Sequence, residues 1–227
     1  MTDKLSIIIA AGGSSRRYGE KDKLLEMLGD LPVFLHCVRN FAPLCKAENM
    51  VMAVRPEALD AYRTLAAECL PEIKFKFVPG GADRCESVRN ALAALPAASG
   101  VAAIHDAARP LASAALLRRV AERAELTGGA IAATKVVDSL KRVSGAGRIV
   151  EPVEREALYR AETPQVFDIE NLRRAYACCD SSGATDDAEI MRRAGFDVDV
   201  VESGEFNLKL TGEDDLRLLK TFYSTGK

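Results

Sequence analysis

The stretch Leu5-Ser-Ile-Ile-Ile-Ala-Ala-Gly-Gly13 decides the fold class of this chain. Its first part, Leu5 to Ala10, is a short apolar run rich in β-branched isoleucine, which predicts a buried β-strand. Glycines follow directly, at the carboxyl end of that strand. Open α/β sheets bind their ligands at this edge. The stretch therefore predicts a strand that leads into a ligand-binding loop.

Outward from this strand, short apolar runs alternate with segments of helical periodicity. From Pro32, for example, Phe34, Cys37, Val38 and Phe41 recur at the spacing of one helix face. Such alternation predicts an α/β fold, a Rossmann-like and mostly parallel sheet with flanking helices. Further strands are expected at residues 49–54, 75–78, 101–105, 130–136, 197–201 and 207–210, and further helices at 56–69, 85–95, 114–125, from Asp168, at 186–194 and from Thr211, which forms a capping box with Asp214.

The alternation breaks after Val137. Leu140–Val143 and Arg148–Val150, joined by Ser144-Gly-Ala-Gly147, predict a β-hairpin without a core of its own. A two-stranded ribbon is rarely stable unless it packs on something. We therefore expect a single domain over residues 1–227 that carries a protruding β-arm at about 138–165, through which two copies of the chain form a homodimer.

Composition excludes several classes of protein. The 31 Lys and Arg residues nearly balance the 33 Asp and Glu residues, for a net charge of −2, so no broad basic surface points to nucleic acid or an anionic membrane. Six cysteines without a C-x-x-C pair and two histidines offer little for zinc, and they predict free thiols in a reducing cytoplasm. We expect no cleavable leader and no membrane span.

The loop Ala10-Ala-Gly-Gly-Ser-Ser-Arg-Arg-Tyr-Gly-Glu-Lys-Asp-Lys23 is the most informative segment. Gly12 and Gly13 let the backbone approach a phosphate group, and the following N–H groups and serines donate hydrogen bonds. The loop's cations are Arg16, Arg17, Lys21 and Lys23. The loop matches neither the P-loop nor the dinucleotide fingerprint, which disfavours both nucleotide-binding classes, including a dehydrogenase. Taken alone, it is compatible with a phosphate site or an ordinary solvated turn.

Several motifs give the chain a family resemblance. Ala10-Ala-Gly12 and Asp22-Lys23-Leu-Leu resemble the loop of sugar nucleotidyltransferases. Over nearly its whole length, the chain resembles the 2-C-methyl-D-erythritol 4-phosphate cytidylyltransferases. The stretches that carry this resemblance are Gly80-Gly-Ala-Asp-Arg-Cys-Glu-Ser-Val88, His105-Asp-Ala-Ala-Arg-Pro110, Glu162-Thr-Pro-Gln165, Thr185-Asp186 and Asn207-Leu-Lys-Leu-Thr211.

The resemblance implies an activity. It implies that the acceptor phosphate attacks the α-phosphorus of CTP, giving 4-diphosphocytidyl-2-C-methyl-D-erythritol and pyrophosphate in non-mevalonate isoprenoid biosynthesis. It also implies Mg²⁺ as cofactor and a homodimer. Asp106 follows a predicted strand, so its carboxylate is expected at the ligand-binding edge of the sheet, where it would hold the metal or simply cap a turn.

The resemblance also assigns residues. Expected catalytic residues are Arg17, Lys23, Arg155 and Lys209. Expected nucleotide-binding residues are Ala10, Ala11, Gly12, Gly13, Ser14, Arg16, Gly80, Gly81, Asp83, Ser87 and Ala107. Expected acceptor-binding residues are Asp106, Arg109, Ser139, Arg155, Thr163, Thr185 and Lys209. Of these, Arg155 and Thr163 are expected to reach the site of the neighbouring subunit. Arg109 would either pair with a substrate phosphate or brace Asp106, and His105 is expected to be structural.

The first loop departs from the family pattern. Serines replace its second glycine, an arginine doublet replaces one arginine, and Asp22 stands where proline is usual. This loop is closer to that of molybdenum cofactor guanylyltransferases, so Arg16 and Arg17 both remain candidates for the catalytic arginine, with Arg17 favoured by its spacing to Lys23. The motifs are also compatible with a cytidylyltransferase for a different polyol phosphate, such as ribitol 5-phosphate, and with a non-catalytic nucleotide-binding homologue.

Overall fold

A computed structural model describes residues 4–13, 22–96, 100–204 and 206–224. Its centre is a seven-stranded sheet in the order β11 (Asp199–Glu202), β7 (Gly129–Lys135), β10 (Tyr159–Asp168), β6 (Val101–Asp106), β1 (Leu5–Ala11), β4 (Met50–Val54) and β5 (Lys76–Pro79). Every neighbouring pair is parallel except those of β10, which runs antiparallel to β6 and β7. Two separate two-stranded pairs are formed by β2 (Met27–Leu28) with β3 (Leu31–Pro32) and by β8 (Leu140–Val143) with β9 (Ile149–Val153).

Helices cover the sheet, which confirms the predicted mostly parallel α/β fold. They are α1 Val33–Phe41, α2 Leu59–Cys69, α3 Arg84–Ala94, α4 Ala114–Thr127, α5 Ile169–Cys178, α6 Asp187–Arg193 and α7 Glu213–Ser224. The central strand β1 separates two apolar layers. Ile7 and Ile9 pack into the larger cluster, whereas Ile8 packs into the smaller one on the opposite face. A strand buried on both faces has to be apolar throughout, which explains its continuous apolar run.

Local signals in the sequence set several helix ends. The side chain of Asp168 accepts hydrogen bonds from the N–H groups of Glu170 and Asn171, as expected for the cap of α5. Gly195 follows α6 with φ +84°, the left-handed conformation that a glycine adopts at little cost. The expected capping box at Thr211 needs one correction. Asp215, rather than Asp214, accepts from the N–H and hydroxyl of Thr211.

Strand β10 is absent from the sequence-based prediction, and residues 207–210 are wrongly predicted to form a strand. Strand β10 takes up part of the segment assigned to the arm, so the described two-stranded ribbon consists of β8 and β9 alone. Residues 207–210 cross the sheet edge instead. Separate hydrogen bonds hold them there instead of a strand ladder, among them one from Leu210 N–H to the Ala108 carbonyl and one from Asn207 Nδ2 to the Thr163 carbonyl. Apolar alternation alone does not distinguish such a crossing segment from a strand.

The order of the strands creates a crevice beside β1. From β1 the chain adds β4 and β5 on one side and then returns to place β6 on the other. At such a switch point the loops after neighbouring strands diverge, which leaves room for a ligand. Within the described part of the chain, no helix is long and apolar enough to cross a membrane.

Candidate active site

A cavity of about 490 Å³ opens at the carboxyl ends of β1 and β6. Eight of the predicted site residues line it: Ala10, Gly12, Gly13, Lys23, Asp83, Ser87, Asp106 and Lys209. Five lining residues were not predicted: Leu24, Ala82, Arg84, Ala108 and Thr211. The fold thus gathers into one cavity the first glycine loop, the loop before α3, the end of β6 and the segment before α7.

The carboxylate of Asp106 stands between two cations in this cavity. Lys209 Nζ lies 2.5 Å from Oδ2, and Arg84 Nε lies 3.2 Å from Oδ1. Burial by itself would raise the pKa of Asp106, but the charges of Arg84 and Lys209 outweigh it and hold the pKa well below its ordinary value. Asp106 is therefore ionised at neutral pH.

Arg84 is a functional candidate that the sequence analysis did not single out. Its Nη2 donates to Asp187 Oδ2 over 2.7 Å, and the Tyr176 hydroxyl donates to the other oxygen of that carboxylate over 2.5 Å. Burial opposes the charge on Arg84, but Asp187 and Asp106 raise its pKa, so the guanidinium stays charged. The available signal was its place in the Gly80–Val88 motif, one residue after the helix cap Asp83.

Lys23 is the second lysine of the cavity. Its Nζ donates to the backbone carbonyl of Leu210 over 2.7 Å, which connects the first loop to the segment that carries Lys209. The remaining expected loop residues, Ser14, Arg16, Arg17 and Lys21, lie outside the described residues.

Two chain segments, the first glycine loop and the loop before α3, approach Ser87. Its hydroxyl donates to the Asp83 carbonyl over 2.8 Å and accepts from the Gly81 N–H over 3.0 Å. A Cβ on Gly12 would lie 2.8 Å from Ser87 Oγ, and one on Gly80 would lie 2.9 Å from it, both too close for a real side chain. Ser87 therefore shapes the loop expected to hold the nucleoside, and glycine is needed at two neighbouring positions.

Ala11 and Ala107 belong to the framework of the site. Ala11 packs in the apolar core, and the Ala107 N–H donates to the Ala10 carbonyl over 3.1 Å. The bond of Ala107 therefore holds the ends of β1 and β6 together, Ala11 contributes to the core, and neither residue lines the cavity.

Thr163 lies inside its own chain, which corrects the expectation that it reaches a neighbouring subunit. Its hydroxyl oxygen accepts from the Asp106 N–H over 3.0 Å and donates to Nδ1 of His105 over 3.1 Å. His105 in turn donates from Nε2 to the Arg109 carbonyl over 3.1 Å, and burial lowers its pKa to about 4. This chain of hydrogen bonds holds the backbone of Asp106 from behind, and it confirms the structural role expected for His105.

Arg109 braces the segment that carries Lys209. Its Nη1 donates to the Asn207 carbonyl over 2.6 Å, and it is only 9% exposed. Burial lowers the pKa of the guanidinium. The Arg109 N–H also donates to the Asp106 carbonyl over 3.0 Å, and the Arg109 charge helps to lower the pKa of Asp106. These contacts match the bracing of Asp106, one of the two expected roles, and Arg109 does not line the cavity.

Besides Arg109 and Thr163, three further expected acceptor-binding residues lie outside the cavity in this single chain. Ser139 and Thr185 are exposed, and both the N–H and the hydroxyl of Thr185 bond to Glu189 Oε2. Arg155 is also exposed and donates to the Val137 carbonyl. It lines a separate cavity of about 350 Å³ at the base of the β8–β9 ribbon.

The site fits a divalent cation only together with a ligand. Among the described residues, no group of three His, Cys, Asp or Glu side chains is placed to hold a metal ion. Asp106 supplies one ionised carboxylate at the cavity wall, and each of its oxygens has a second acceptor position beside the one used by Arg84 or Lys209. One carboxylate combined with substrate phosphate oxygens is a typical Mg²⁺ coordination.

Comparison with known proteins gives the family. The family model described as 2-C-methyl-D-erythritol 4-phosphate cytidylyltransferase matches residues 5–224. The chain belongs to this family. A relative of that name from Bacillus cereus is 35% identical over 98% of this chain and 99% of its own. Another from Cereibacter sphaeroides is 39% identical over 92% of each chain.

Solved structures agree with the cytidylyltransferase family. A 2-C-methyl-D-erythritol 4-phosphate cytidylyltransferase from Thermus thermophilus superposes with a TM-score of 0.79 at 28% identity, covering 97% of this chain and 99% of its own. The 4-diphosphocytidyl-2C-methyl-D-erythritol synthase of Anaerococcus prevotii superposes with a TM-score of 0.82 at 23% identity, over 98% of this chain and 99% of its own. At that identity, the second match shows the fold alone.

Proposed function

We propose that this protein transfers the cytidylyl group of CTP to 2-C-methyl-D-erythritol 4-phosphate, giving 4-diphosphocytidyl-2-C-methyl-D-erythritol and pyrophosphate. One observation carries the proposal in this member of the cytidylyltransferase family. The ionised Asp106 lies between Arg84 and Lys209 in a cavity at the switch point of the sheet. This arrangement suits a reaction between two phosphate-bearing substrates.

The chemistry requires charge compensation rather than a strong base. An oxygen of the acceptor phosphate forms a bond to the α-phosphorus of CTP, while the bond from that phosphorus to the bridging oxygen of the β-phosphate breaks. The electron pair of the broken bond leaves with pyrophosphate. Because a phosphate is already an ionised nucleophile, the protein mainly has to position both substrates and stabilise negative charge on the phosphoryl oxygens.

The lysines of the cavity suit these two tasks. Lys23 comes from the loop after β1 and Lys209 from the segment before α7, so the two ammonium groups enter from different parts of the chain. We assign Lys23 to the triphosphate of CTP and Lys209 to the acceptor phosphate. The loop arginines Arg16 and Arg17 would add to the triphosphate site, with Arg17 as the preferred catalytic residue.

The nucleoside is assigned to the loop before α3. Asp83 and Ser87 line the cavity, and Ser87 bonds to the Gly81 N–H and the Asp83 carbonyl, which fixes the loop that contains Gly80 and Gly81. The backbone at Gly12 and Gly13 is free of side chains and allows close approach of a phosphate. The cavity volume of about 490 Å³ lies in the range of small-molecule sites.

Nucleotidyltransferases generally use a divalent metal ion, and we propose Mg²⁺ for this protein. Asp106 would hold it together with phosphate oxygens of the substrate. When bound, the ion neutralises charge on the triphosphate. The chain's own contribution is to keep Asp106 ionised and in place, through Arg84 and Lys209 at its oxygens and Thr163 at its N–H.

A homodimer is part of the proposal. The β8–β9 ribbon exposes Val143, Ile149 and Val150, at 52%, 67% and 61% exposure. An exposed apolar patch is typical of an interaction surface, and a second copy of the chain would cover it. In that assembly Ser139 and Arg155 would contribute to the cavity of the partner subunit.

We propose the cytoplasm as the location of the protein. The six cysteines are free thiols, which fits a reducing compartment.

The proposal is tested by pyrophosphate release from the purified protein with Mg²⁺, CTP and 2-C-methyl-D-erythritol 4-phosphate. We expect release that depends on both substrates and a cytidine diphosphate product identified by mass spectrometry. A Lys23→Ala variant is the control. Release no faster than with that variant would contradict the activity. Substituting GTP for CTP and ribitol 5-phosphate for the acceptor tests the competing transferase activities, and faster turnover of either would replace the proposed substrate.

A further inference from the structure

Asp22 lies at the end of the first loop, directly before Lys23, and its side chain is held by side chains from two other elements. Its Oδ2 accepts a hydrogen bond of 2.8 Å from Arg55 Nη2 and one of 3.0 Å from the Tyr62 hydroxyl. Arg55 directly follows β4, the strand beside β1, and Tyr62 lies in α2. The Asp22 side chain is only 9% exposed. We call this cluster of Asp22, Arg55 and Tyr62 the loop anchor.

Tyr62, one of the two residues that hold Asp22, is itself fixed by packing in the core. Tyr62 is fully buried, and its ring packs 4.5 Å from that of Phe34. Burial and the charge of Asp22 raise the pKa of Tyr62, so its hydroxyl keeps its proton and remains a donor. A hydrogen bond to a charged acceptor is about twice as strong as a neutral one. The Asp22 carboxylate is therefore fastened to the body of the protein.

The backbone carries this fixation to Lys23. Asp22 Oδ1 accepts from the Leu24 N–H over 3.1 Å, and the Asp22 carbonyl accepts from the Leu25 N–H over 3.0 Å. These two bonds form the tight turn Lys23–Leu25, in which Leu24 is buried in the core. Lys23 lies between the fixed residues Asp22 and Leu24, and its side chain lines the cavity, where Nζ donates to the Leu210 carbonyl.

We propose that Asp22 is a positioning residue, which sets the place of the Lys23 ammonium group in the cavity through its bonds to Arg55 and Tyr62. The proposal explains why this chain tolerates aspartate where the resembled pattern has proline, since three hydrogen bonds fix the backbone that a proline ring would restrict. The catalytic role of Lys23 in this proposal rests on the proposed function, whereas the contacts of Asp22 do not depend on it. Asp22 does not line the cavity and has no contact with substrate in this assignment.

A double-mutant cycle tests the proposal. Asp22→Ala is expected to lower kcat about 10-fold or more, because a displaced catalytic group reacts far more slowly. In a Lys23→Ala background, the same substitution is expected to change kcat less than about 2-fold, since its effect passes through Lys23. Tyr62→Phe, which removes a single hydrogen bond, should give a smaller decrease of the same kind. Equal effects of Asp22→Ala in both backgrounds would overturn the proposal.

Two further measurements separate positioning from stability and from the proposed function. Leu172→Ala on α5 removes buried apolar volume from the cluster that does not contain Tyr62, so it should lower the melting temperature and leave kcat nearly unchanged. CTP affinity, measured by calorimetry, should fall in Asp22→Ala. The double variant should bind CTP no more weakly than Lys23→Ala alone. If the unaltered chain releases no pyrophosphate, the proposed function fails, and the affinity cycle still decides on Asp22. CTP affinities that add in the double variant would refute the positioning role.

Discussion

The ammonium nitrogen of Lys209 lies 2.5 Å from Oδ2 of Asp106, although the two residues are 103 positions apart in the chain. The same carboxylate accepts a hydrogen bond from Arg84 on its other oxygen, so one negative charge lies between two positive charges. A cavity that has to accept two phosphate-bearing substrates therefore starts with partly neutralised charge. When the acceptor phosphate enters, Lys209 can donate to that phosphate and to Asp106. The bond to Asp106 already orients the ammonium group toward the cavity.

Replacing Lys209 by glutamine is expected to lower kcat/KM for the acceptor about 10²-fold, the size found when a group that stabilises developing charge is removed. The measurement is steady-state pyrophosphate release at varied acceptor concentration. Lys220→Gln, on the exposed side of α7, removes the same charge away from the cavity and should change kcat/KM less than about 2-fold. A Lys209 variant as active as the Lys220 variant would be incompatible with the assigned role.

The close approach of Gly12 to Ser87 predicts a coupled pair of substitutions. Gly12→Ala would place a Cβ 2.8 Å from Ser87 Oγ. We expect this overpacking to cost about 1–3 kcal/mol of unfolding free energy. In a Ser87→Ala background the next atom is Ser87 Cβ at 3.6 Å, an ordinary contact, so the cost of Gly12→Ala should largely disappear. Urea denaturation of the four proteins measures both values, and equal costs in the two backgrounds would show that Ser87 does not set the constraint.

Thr163 should be replaceable by serine but not by valine. Valine has nearly the same shape but leaves the buried Asp106 N–H without its acceptor, which is expected to cost about 1–3 kcal/mol. Serine keeps the hydroxyl and loses one methyl group, for about 1 kcal/mol. Chemical denaturation gives the two values. A valine variant at least as stable as the serine variant would mean that the hydrogen bond to Asp106 contributes nothing.

The burial of His36 predicts that the unfolding free energy of the protein decreases in mild acid. It is buried, its Nε2 bonds to the Leu28 carbonyl over 2.8 Å, and Arg39 Nη2 lies 3.3 Å from Nδ1. Burial, joined by the Arg39 charge, lowers its pKa below the ordinary 6.5. As the pH falls through that ordinary value, the unfolded chain takes up a proton before the folded chain does, so the unfolding free energy decreases.

A His36→Gln variant should show a flatter dependence of unfolding free energy on pH between about pH 7.5 and about pH 5, the range in which histidine titrates. Urea denaturation at each pH provides the comparison. His105, whose pKa burial lowers to about 4, acts in the same direction in both proteins and therefore cancels. Parallel pH curves for the two proteins would contradict the neutral, buried state of His36.

The β8–β9 ribbon predicts the assembly state. Ile149→Asp places a charge on the exposed apolar side of the ribbon and should convert a dimer into monomers in sedimentation velocity. Leu126 on α4 is 80% exposed and provides a matched control, since Leu126→Asp adds the same charge outside the ribbon. A monomeric unaltered chain at the assay concentration would contradict the homodimer itself.

Several elements could be predicted because their signals are local. The apolar run of β1, the cap at Asp168, the glycine after α6 and the hairpin at β8–β9 each depend on residues a few positions apart. The motifs likewise located Lys23, Asp83, Asp106 and Lys209. Strand β10 could not be predicted, because its Gln165–Phe167 segment is stabilised by pairing with β6 and β7 on both sides. That pairing is a property of the assembled sheet.

The sequence by itself determined the α/β fold, the family and the residues available for the chemistry, since each of these depends on residue type, spacing and local pattern. Only the tertiary structure decided which of those residues share the cavity. It placed Arg84 at Asp106, turned Thr163 inward behind Asp106, and fastened Asp22 to Arg55 and Tyr62. The physical reason is the short range of the interactions that join these residues. Hydrogen bonds and ion pairs act over a few ångströms, and their partners meet only when the sheet has brought distant segments together.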